Sequence, residues 1–368
     1  MNILITGSNG FIGKNLKNFI KDNYGYQILE YNKEDTFQVL DYKIKNSDFI
    51  IHLAAVNRPS KKILFDKTNI ILTEYICKVL IKYSQPTPII FSSSTQADLD
   101  NDYGKSKLNG EKLFLNLNQS NGNPVFIFRL PGVFGKWSKP NYNSVVATFC
   151  FNAINNIKLE INDEDRIISL VYIDDVMKKF CKVLNMKEKG FFFKDISPTY
   201  KIKLKNLAQK ILSFKENRET LYIGNLGEGL NKKLYSTYIS FLDPTQFQYP
   251  LKEHIDKRGK FVEFIKNNNA GQFAYFTANP GMTRGSHYHN SKTEKFLIVK
   301  GKAKFTFVNL TNGEKVEINA NSDHPKVIDS IPGWGHNIKN VGKDELIVLL
   351  WANEIFDKKN PDTYMTDI

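Results

Sequence analysis

The stretch MNILITGSNGFIG, residues 1–13, restricts what this chain can fold into more than any other. Ile3, Leu4 and Ile5 form a short apolar run suited to a strand buried on both faces. Gly7, Gly10 and Gly13 follow at G-x-x-G-x-x-G spacing, and Phe11, Ile12, Leu16, Phe19 and Ile20 then recur at helical spacing. Strand, glycine turn and helix make a cradle for a pyrophosphate. Gly7 permits the tight turn, Gly10 lets the backbone approach the phosphates, and Gly13 lets helix pack on strand. The helix N-terminus adds N–H donors and a positive dipole end. Glycine spacing alone is a weak signal. The strand before it and the helix after it point to a dinucleotide site, with Gly7, Ser8, Asn9, Gly10, Phe11, Ile12 and Gly13 as candidate contacts.

The chain continues in the same pattern. Residues 28–34 hold the end of a second strand, where an NAD enzyme places an acid for the ribose 2′-hydroxyl. Glu30 is a candidate for that role, while Lys33 can pair with a 2′-phosphate. Ser8, Asn9 and Lys14 also suit a phosphate, so NADP is favoured over NAD. Residues 48–56 form a third strand running into a small-residue turn, Leu53 and Ala54, under the cofactor. His52 lies inside this apolar run and is expected to be packed rather than catalytic. Helical sequence at 69–83, a strand at 88–94, a helix from Tyr103 and a strand at 125–130 follow. Alternating strands and helices predict a doubly wound parallel α/β sheet of Rossmann type. Ligands in such sheets bind outside the strand ends, where the loop-rich segment 131–168 is expected to lie.

At 368 residues, 41% of them hydrophobic, the chain suits two domains with real cores. No apolar run is long enough for a membrane span, and no secretory signal is expected ahead of the first strand. Cys77, Cys150 and Cys181 are too few and too scattered for a disulfide framework, which suits a reducing, cytoplasmic setting. The net charge is +13, but the lysines are dispersed and form no basic arm, so nucleic acid is not the expected partner. A general pull on anionic substrates is.

Tyr103 and Lys107 are four apart at the start of a helix and share one face. An ammonium beside a phenol favours phenolate and is expected to lower the tyrosine pKa. Such a tyrosine can protonate a carbonyl being reduced or deprotonate an alcohol. Ser94, at the end of a neighbouring strand, can hydrogen-bond the same oxygen. Residues 1–243 thus resemble an extended short-chain dehydrogenase/reductase of the nucleotide-sugar branch. The resemblance implies a nicotinamide cofactor, a UDP- or dTDP-sugar, and a catalytic triad of Ser94, Tyr103 and Lys107. It also implies nucleotide and diphosphate contacts from Asn141, Asn143 and Arg166. Relatives usually carry an Asn three residues after the position of Arg129, where this chain has Gly132. Thr95 and Gln96 stand where dehydratases carry an acid pair, which argues against dehydration.

The texture changes near 243. Residues 244–251 read as a linker, and short alternating segments separated by turns then fill 252–368, the signature of a small all-β barrel or jelly roll. Gly281, His287, His289, Glu294 and Gly301 fit G-x5-H-x-H-x4-E-x6-G, and Gly333, His336 and Asn340 fit G-x2-H-x3-N. On a strand His287 and His289 face the same side. Three imidazoles and a carboxylate suit a borderline divalent ion such as Zn, with Ni, Mn or Fe as alternatives. This two-part spacing resembles the metal-binding cupin motif. Residues 254–263 and Arg284-Gly-Ser-His287 also resemble the cupin-type 3,5-epimerases of deoxysugar pathways, which implies that His287 abstracts a proton alpha to a keto group. His287 therefore has two roles open to it, ligand or general base, with Lys295, Tyr288 or a metal-bound water as other proton carriers. His324 reads as a turn residue, and Trp334 and Trp351 as barrel packing.

A reductase of this branch fused to a metal cupin resembles the bifunctional capsular polysaccharide enzymes. The resemblance spans essentially the whole chain, including residues 139–144 and 356–364. It implies a homodimer on the route to UDP-N-acetyl-L-fucosamine. The cupin is expected to epimerise C-3 of a UDP-2-acetamido-2,6-dideoxy-4-ketohexose, and the Rossmann domain to reduce C-4 with NADPH to the L-talo sugar. Two other readings stay open: a UDP-sugar 4-epimerase with a non-catalytic cupin, and a nucleotide-sugar-sensing protein without turnover.

Overall fold

The computed structural model describes residues 1–56, 69–256, 259–262, 265, 271–354, 357 and 359–368; of 253–256, 259–262, 272 and 273 it describes the backbone. Lys257, Arg258, Glu263 and Phe356, which belong to the stretches singled out above, lie outside the described residues. Two compact units emerge. One comprises Met1–Ser144 with Ile167–Ile202, the other Val145–Arg166 with Lys203–Ile368.

The first unit is built on β1 (Asn2–Thr6), α1 (Phe11–Asn23), β2 (Gln27–Tyr31), α2 (Phe37–Lys45), β3 (Phe49–His52), α3 (Ile71–Lys82), β4 (Ile89–Ser94), α4 (Asp102–Asn121), β5 (Val125–Leu130), β6 (Gly132–Phe134), β7 (Ile167–Tyr172), α6 (Ile173–Leu184) and β8 (Phe191–Phe193), and β9 (Tyr200–Lys203) ends it. Six strands form one parallel sheet in the order β2-β1-β3-β4-β5-β8. Ile3, Leu4, Ile5, Ile50, Ile51, Ile89 and Ile90 have no solvent exposure, because helices cover both faces. The chain order reverses direction between β1 and β3. Their carboxyl ends therefore open a crevice, and it is there that the glycine turn and Leu53-Ala54 emerge. His52 is buried between Thr6 (2.7 Å) and Thr73 (3.0 Å), and burial, helped by nearby Lys107, pushes its pKa down to about 3. It is a packed neutral histidine.

The second unit contains, among the described residues, three α-helices and the barrel. The helices are α5 (Val145–Ile154), α7 (Leu204–Thr220) and α8 (Gly229–Ile239). The barrel is two antiparallel five-stranded sheets, β10-β18-β15-β20-β13 and β17-β16-β19-β14-β21. Their strands are β10 (Gln248–Pro250), β13 (Gln272–Ala278), β14 (Thr283–Tyr288), β15 (Glu294–Lys300), β16 (Lys302–Asn309), β17 (Lys315–Asn321), β18 (Lys326–Asp329), β19 (Trp334–Asn340), β20 (Leu346–Ala352) and β21 (Tyr364–Met365). A separate hairpin pairs β11 (Glu253–Asp256) with β12 (Gly259–Val262). Alternate residues fill the barrel, Phe296 and Ile298 on one strand and Phe305 and Phe307 on another, with Val348 opposite Ile298.

The stretch 244–251, expected as a linker, is part of this barrel. Asp243 caps a short 3-10 turn with a capping box, and β10 then pairs with β18 at the sheet edge. Phe247 is fully buried, its ring 4.9 Å from Trp334 and 5.5 Å from Phe307. Asp-Pro and Tyr-Pro looked like linker punctuation. One buried aromatic and three paired residues outweigh them. Among the described residues no helix is long and apolar enough to cross a membrane.

Candidate active site and candidate metal centre

The glycine turn leaves β1 and enters α1 at Gly10. Gly7 has φ +70°, and a Cβ there would stand 2.8 Å from the Ala54 backbone. A Cβ on Gly13 would meet the Gly7 carbonyl at 2.4 Å. The cradle therefore exists only because side chains are missing from it, and the Gly10 cap offers no side chain to the first-turn N–H groups. Thr6 Oγ1 accepts from the N–H groups of Leu53 and Ala54, both at 3.2 Å, fixing the second wall. Ser8 donates to Glu30 (2.8 Å) and accepts from Asn32 (2.8 Å), and Asn32 also accepts from the Asn9 N–H (2.9 Å). Lys17 lies 2.6 Å from Glu30. Burial works to raise the Glu30 carboxyl, but Lys17 and Ser8 hold it below the usual range. Lys33 is exposed, 3.6 Å from Glu34. These surroundings fit an NAD(P) adenosine and pyrophosphate.

Asn101 caps α4, accepting from the Gly104 N–H at 2.8 Å. Gly104 lets the helix close on the turn after β4, since a Cβ would stand 2.1 Å from the Gln96 carbonyl. Neither residue was singled out from sequence, although Asn before a helical run is a readable cap. Together they bring Tyr103 to Ser94, and the two side chains hydrogen-bond. Lys107 is buried, donates to the Ser92 carbonyl at 2.7 Å and lies 5.9 Å from the Tyr103 ring centre. Burial lowers its pKa to about 8, partly offset by Glu111. The expected lowering at Tyr103 does not occur. Burial pushes the phenol up to about 12 against the Ser94 hydrogen bond. Desolvation of the phenolate outweighs an ammonium that is aimed at a backbone carbonyl. Behind the site Arg129 grips Glu111 with two bonds, 2.9 and 2.7 Å, and Asp98 at 2.6 Å, so it is occupied within the fold. Asn141 and Asn143 are exposed in the first unit, while Arg166 is exposed in the second.

In the barrel the ligand-type atoms of His287, His289, Glu294 and His336 lie within 4.8 Å of one another. A bulge at Gly285-Ser286, with φ +96° and +58°, re-aims His287 on β14. Glu294 opens β15 in the other sheet, 3.0 Å from His289 Nε2 and 3.4 Å from His336 Nε2. Burial works to raise the Glu294 carboxyl, yet the two imidazoles hold it well below the usual range. Burial lowers His287 to about 4 and also lowers His336, so both rings present lone pairs at neutral pH. His336 turns Nε2 towards Glu294, while its buried Nδ1 has no hydrogen-bond partner. This donor set fits a tetrahedral or five-coordinate divalent ion. A cavity of about 340 Å³ opens on it, lined by His287, Glu294, His336, Arg284 and the apolar Phe276, Phe296, Ile338 and Leu350. A larger one, about 540 Å³, lies between α5 and α7 but brings together no groups matched for proton transfer.

Two residues considered as proton carriers face elsewhere. Lys295 alternates with Glu294 along β15 and pairs with Asp329 at 2.6 Å on the opposite face; burial opposes its charge, but Asp329 holds its pKa up. Tyr288 alternates with His287, is buried and stacks on Tyr364 at 5.3 Å. Trp334 and Trp351 are buried packing residues.

A profile of the NAD dependent epimerase/dehydratase family matches residues 3–193, and one for a polysaccharide biosynthesis C-terminal domain matches 254–364. The UDP-2-acetamido-2,6-beta-L-arabino-hexul-4-ose reductase of Pseudomonas aeruginosa is 45% identical over all 368 residues, covering 100% of this chain and 99% of that one. The crystal structure of the capsular polysaccharide assembling protein CapF from Staphylococcus aureus is 37% identical, with full coverage of both chains and a TM-score of 0.67. The chain belongs to the NAD dependent epimerase/dehydratase family, in its CapF-type branch. Similarity to the UDP-N-acetylglucosamine 4-epimerase of Bacillus cereus is 21% over 59% of this chain and 82% of that one, at a TM-score of 0.53, and shows the fold alone. The CapF-type assignment accounts for an α/β sheet and a β-barrel in one chain.

Proposed function

We propose that this chain is an NADPH-dependent reductase of a UDP-2-acetamido-2,6-dideoxy-4-ketohexose, whose barrel first epimerises C-3, in capsular polysaccharide synthesis. The observation that carries the reading is Tyr103, a phenol kept protonated by burial and hydrogen-bonded to Ser94, in a chain matching a 4-ulose reductase from end to end. Reduction needs a proton donor at the carbonyl oxygen, and Tyr103 can be one throughout the neutral range. Bound NADPH would supply the hydride to C-4. Ser94 holds the same oxygen, and the Lys107 ammonium compensates the negative charge that develops on the phenol. Residues 7–13, Leu53 and Ala54 cradle the cofactor. NADPH is favoured over NADH because Glu30, the acid that would take the ribose 2′-hydroxyl, is already engaged by Lys17 and Ser8. Asn141, Asn143 and Arg166 are assigned to the UDP moiety.

In the barrel we assign His289, Glu294 and His336 as ligands of a divalent ion, Zn by preference, with His287 either the fourth ligand or the base that takes the C-3 proton and returns one to that carbon. Such an ion would supply Lewis acidity towards the 4-keto oxygen, which makes the C-3 proton more acidic. The apolar cavity walls exclude water, and Arg284 offers charge compensation for the substrate's anionic groups. The chemistry runs in order: the 4-keto group that activates C-3 is consumed by the reduction. The active form is assigned as a homodimer, to be checked by light scattering.

One assay tests the reading. The 4-keto UDP-sugar is supplied with NADPH in deuterated water. NADPH oxidation with deuterium at C-3 supports it, and oxidation without C-3 exchange removes the barrel's role. Epimerisation at C-4 without net NADPH use would replace the reductase with a 4-epimerase.

A further inference from the structure

Two of the four candidate ligands flank a segment with no ladder to hold it. Between the end of β14 at Tyr288 and the start of β15 at Glu294, residues 289–293 form a turn. Three successive N–H groups of this turn converge on one carboxylate. Asn290 N donates to Asp362 Oδ1 at 2.9 Å, while Ser291 N (2.8 Å) and Lys292 N (2.7 Å) donate to Oδ2. The Ser291 hydroxyl adds a fourth bond at 2.9 Å. The carbonyl of the same aspartate accepts from His289 Nδ1 at 2.6 Å. That bond puts the ring proton on Nδ1 and leaves the Nε2 lone pair towards Glu294. Asp362 has φ +37°, a left-handed conformation that persists only when its surroundings over-determine it. They do: the Lys292 ammonium reaches the Pro361 carbonyl (3.1 Å) and Thr363 Oγ1 (2.6 Å) on either side. Two residues on, β21 pairs with β14, setting Met365 opposite His287.

We propose that Asp362 is the positioning residue of the metal centre, shaping the 289–293 turn with its carboxylate and fixing the tautomer of His289 with its carbonyl. The proposal rests on the cluster being a metal site. A simple tether would need one or two bonds from any polar residue. Five bonds on one strained residue, one of them to a ligand, instead specify where His289 and Glu294 stand relative to each other. Metal affinity should therefore depend on a residue outside the histidine motif.

The test uses the full-length protein stripped of metal and titrated with Zn²⁺ alone against a chromophoric chelator, with Co²⁺ absorption spectra as a second readout. Asp362→Ala should bind Zn²⁺ about 10–100-fold more weakly, the range for loss of a residue that orients a ligand. Its Co²⁺ bands should shift, while NADPH binding by the first unit stays unchanged. Asp362→Asn, which keeps one acceptor and tolerates the left-handed backbone, should fall between the two and carries the test if the alanine variant does not fold. Unchanged Zn²⁺ affinity and Co²⁺ bands in a folded variant, with or without a lower melting temperature, overturn the proposal and leave the metal assignment intact. A wild-type protein that takes up no Zn²⁺ and gives no Co²⁺ bands overturns both.

Discussion

The cofactor cradle and the candidate metal cluster are built by opposite means. The cradle is backbone: its working parts are N–H groups, and its glycines matter for the atoms they lack, with 2.4 Å of room where Gly13 would carry a Cβ. The cluster is side chain: three residues from two sheets meet His289 from the turn between them, and a further ring of residues holds them in register. Adding an atom destroys the first and removing one destroys the second. The difference separates the two chemistries experimentally, because a substitution that harms one should leave the other standing.

The sharpest separation comes from Tyr103→Phe. It should lower the rate of NADPH oxidation by roughly 10²–10⁴-fold, the usual contribution of a positioned proton donor. Deuterium exchange at C-3 should persist, as measured by mass spectrometry of the sugar. If exchange also disappears, the two sites do not work independently. Next in size is Lys295→Met. Breaking a buried pair costs about 3–5 kcal/mol, with Arg218 left to Asp329 as a partner and the low end therefore expected. Urea unfolding should show this loss with Zn²⁺ content unchanged. A folded, metal-loaded variant without C-3 exchange would return Lys295 to the chemistry.

Gly13→Ala is expected to weaken NADPH binding by about 10–100-fold, equivalent to ~1–3 kcal/mol of overpacking, as read by cofactor fluorescence. Zn²⁺ binding should not move. The smallest effect is with pH. Lys107 is charged below its pKa, so its support for the developing phenolate is present below about pH 8 and lost as pH rises through that value. Tyr103 remains a donor up to about 12. Reductase kcat/KM should fall by up to about tenfold per unit above pH 8, with no separate break near the ordinary tyrosine value. A profile flat to pH 10 would show that Lys107 acts only through the cofactor.

Much of this was written in residue types. The glycine turn was legible because only glycine tolerates φ +70° and a 2.8 Å approach at Gly7. The histidine cluster was legible because few side chains bind a divalent ion. What escaped is long-range and aperiodic. Asp362 lies 73 residues from the histidine whose ring it fixes, and nothing in its neighbours announces that. The Tyr103 pKa was misjudged because a Lys four residues away is visible in the sequence and burial is not. Residues 244–251 carried turn punctuation, and only the pairing of β10 with β18 and the burial of Phe247 show their place.

Two helices that precede the barrel are tied into it by side-chain bonds. Arg218 on α7 bonds to Asp329, which in turn holds Lys295; Lys232 and Ser236 on α8 bond to Glu354 and to the Ser291 carbonyl beside the histidine cluster. Cutting the gene at the point where the sequence changes texture would strand a buried acid and base in one half and their arginine in the other. Because Val145–Arg166 belongs to the barrel's unit and Ile167–Ile202 to the other, a single cut anywhere in the chain leaves at least one unit incomplete.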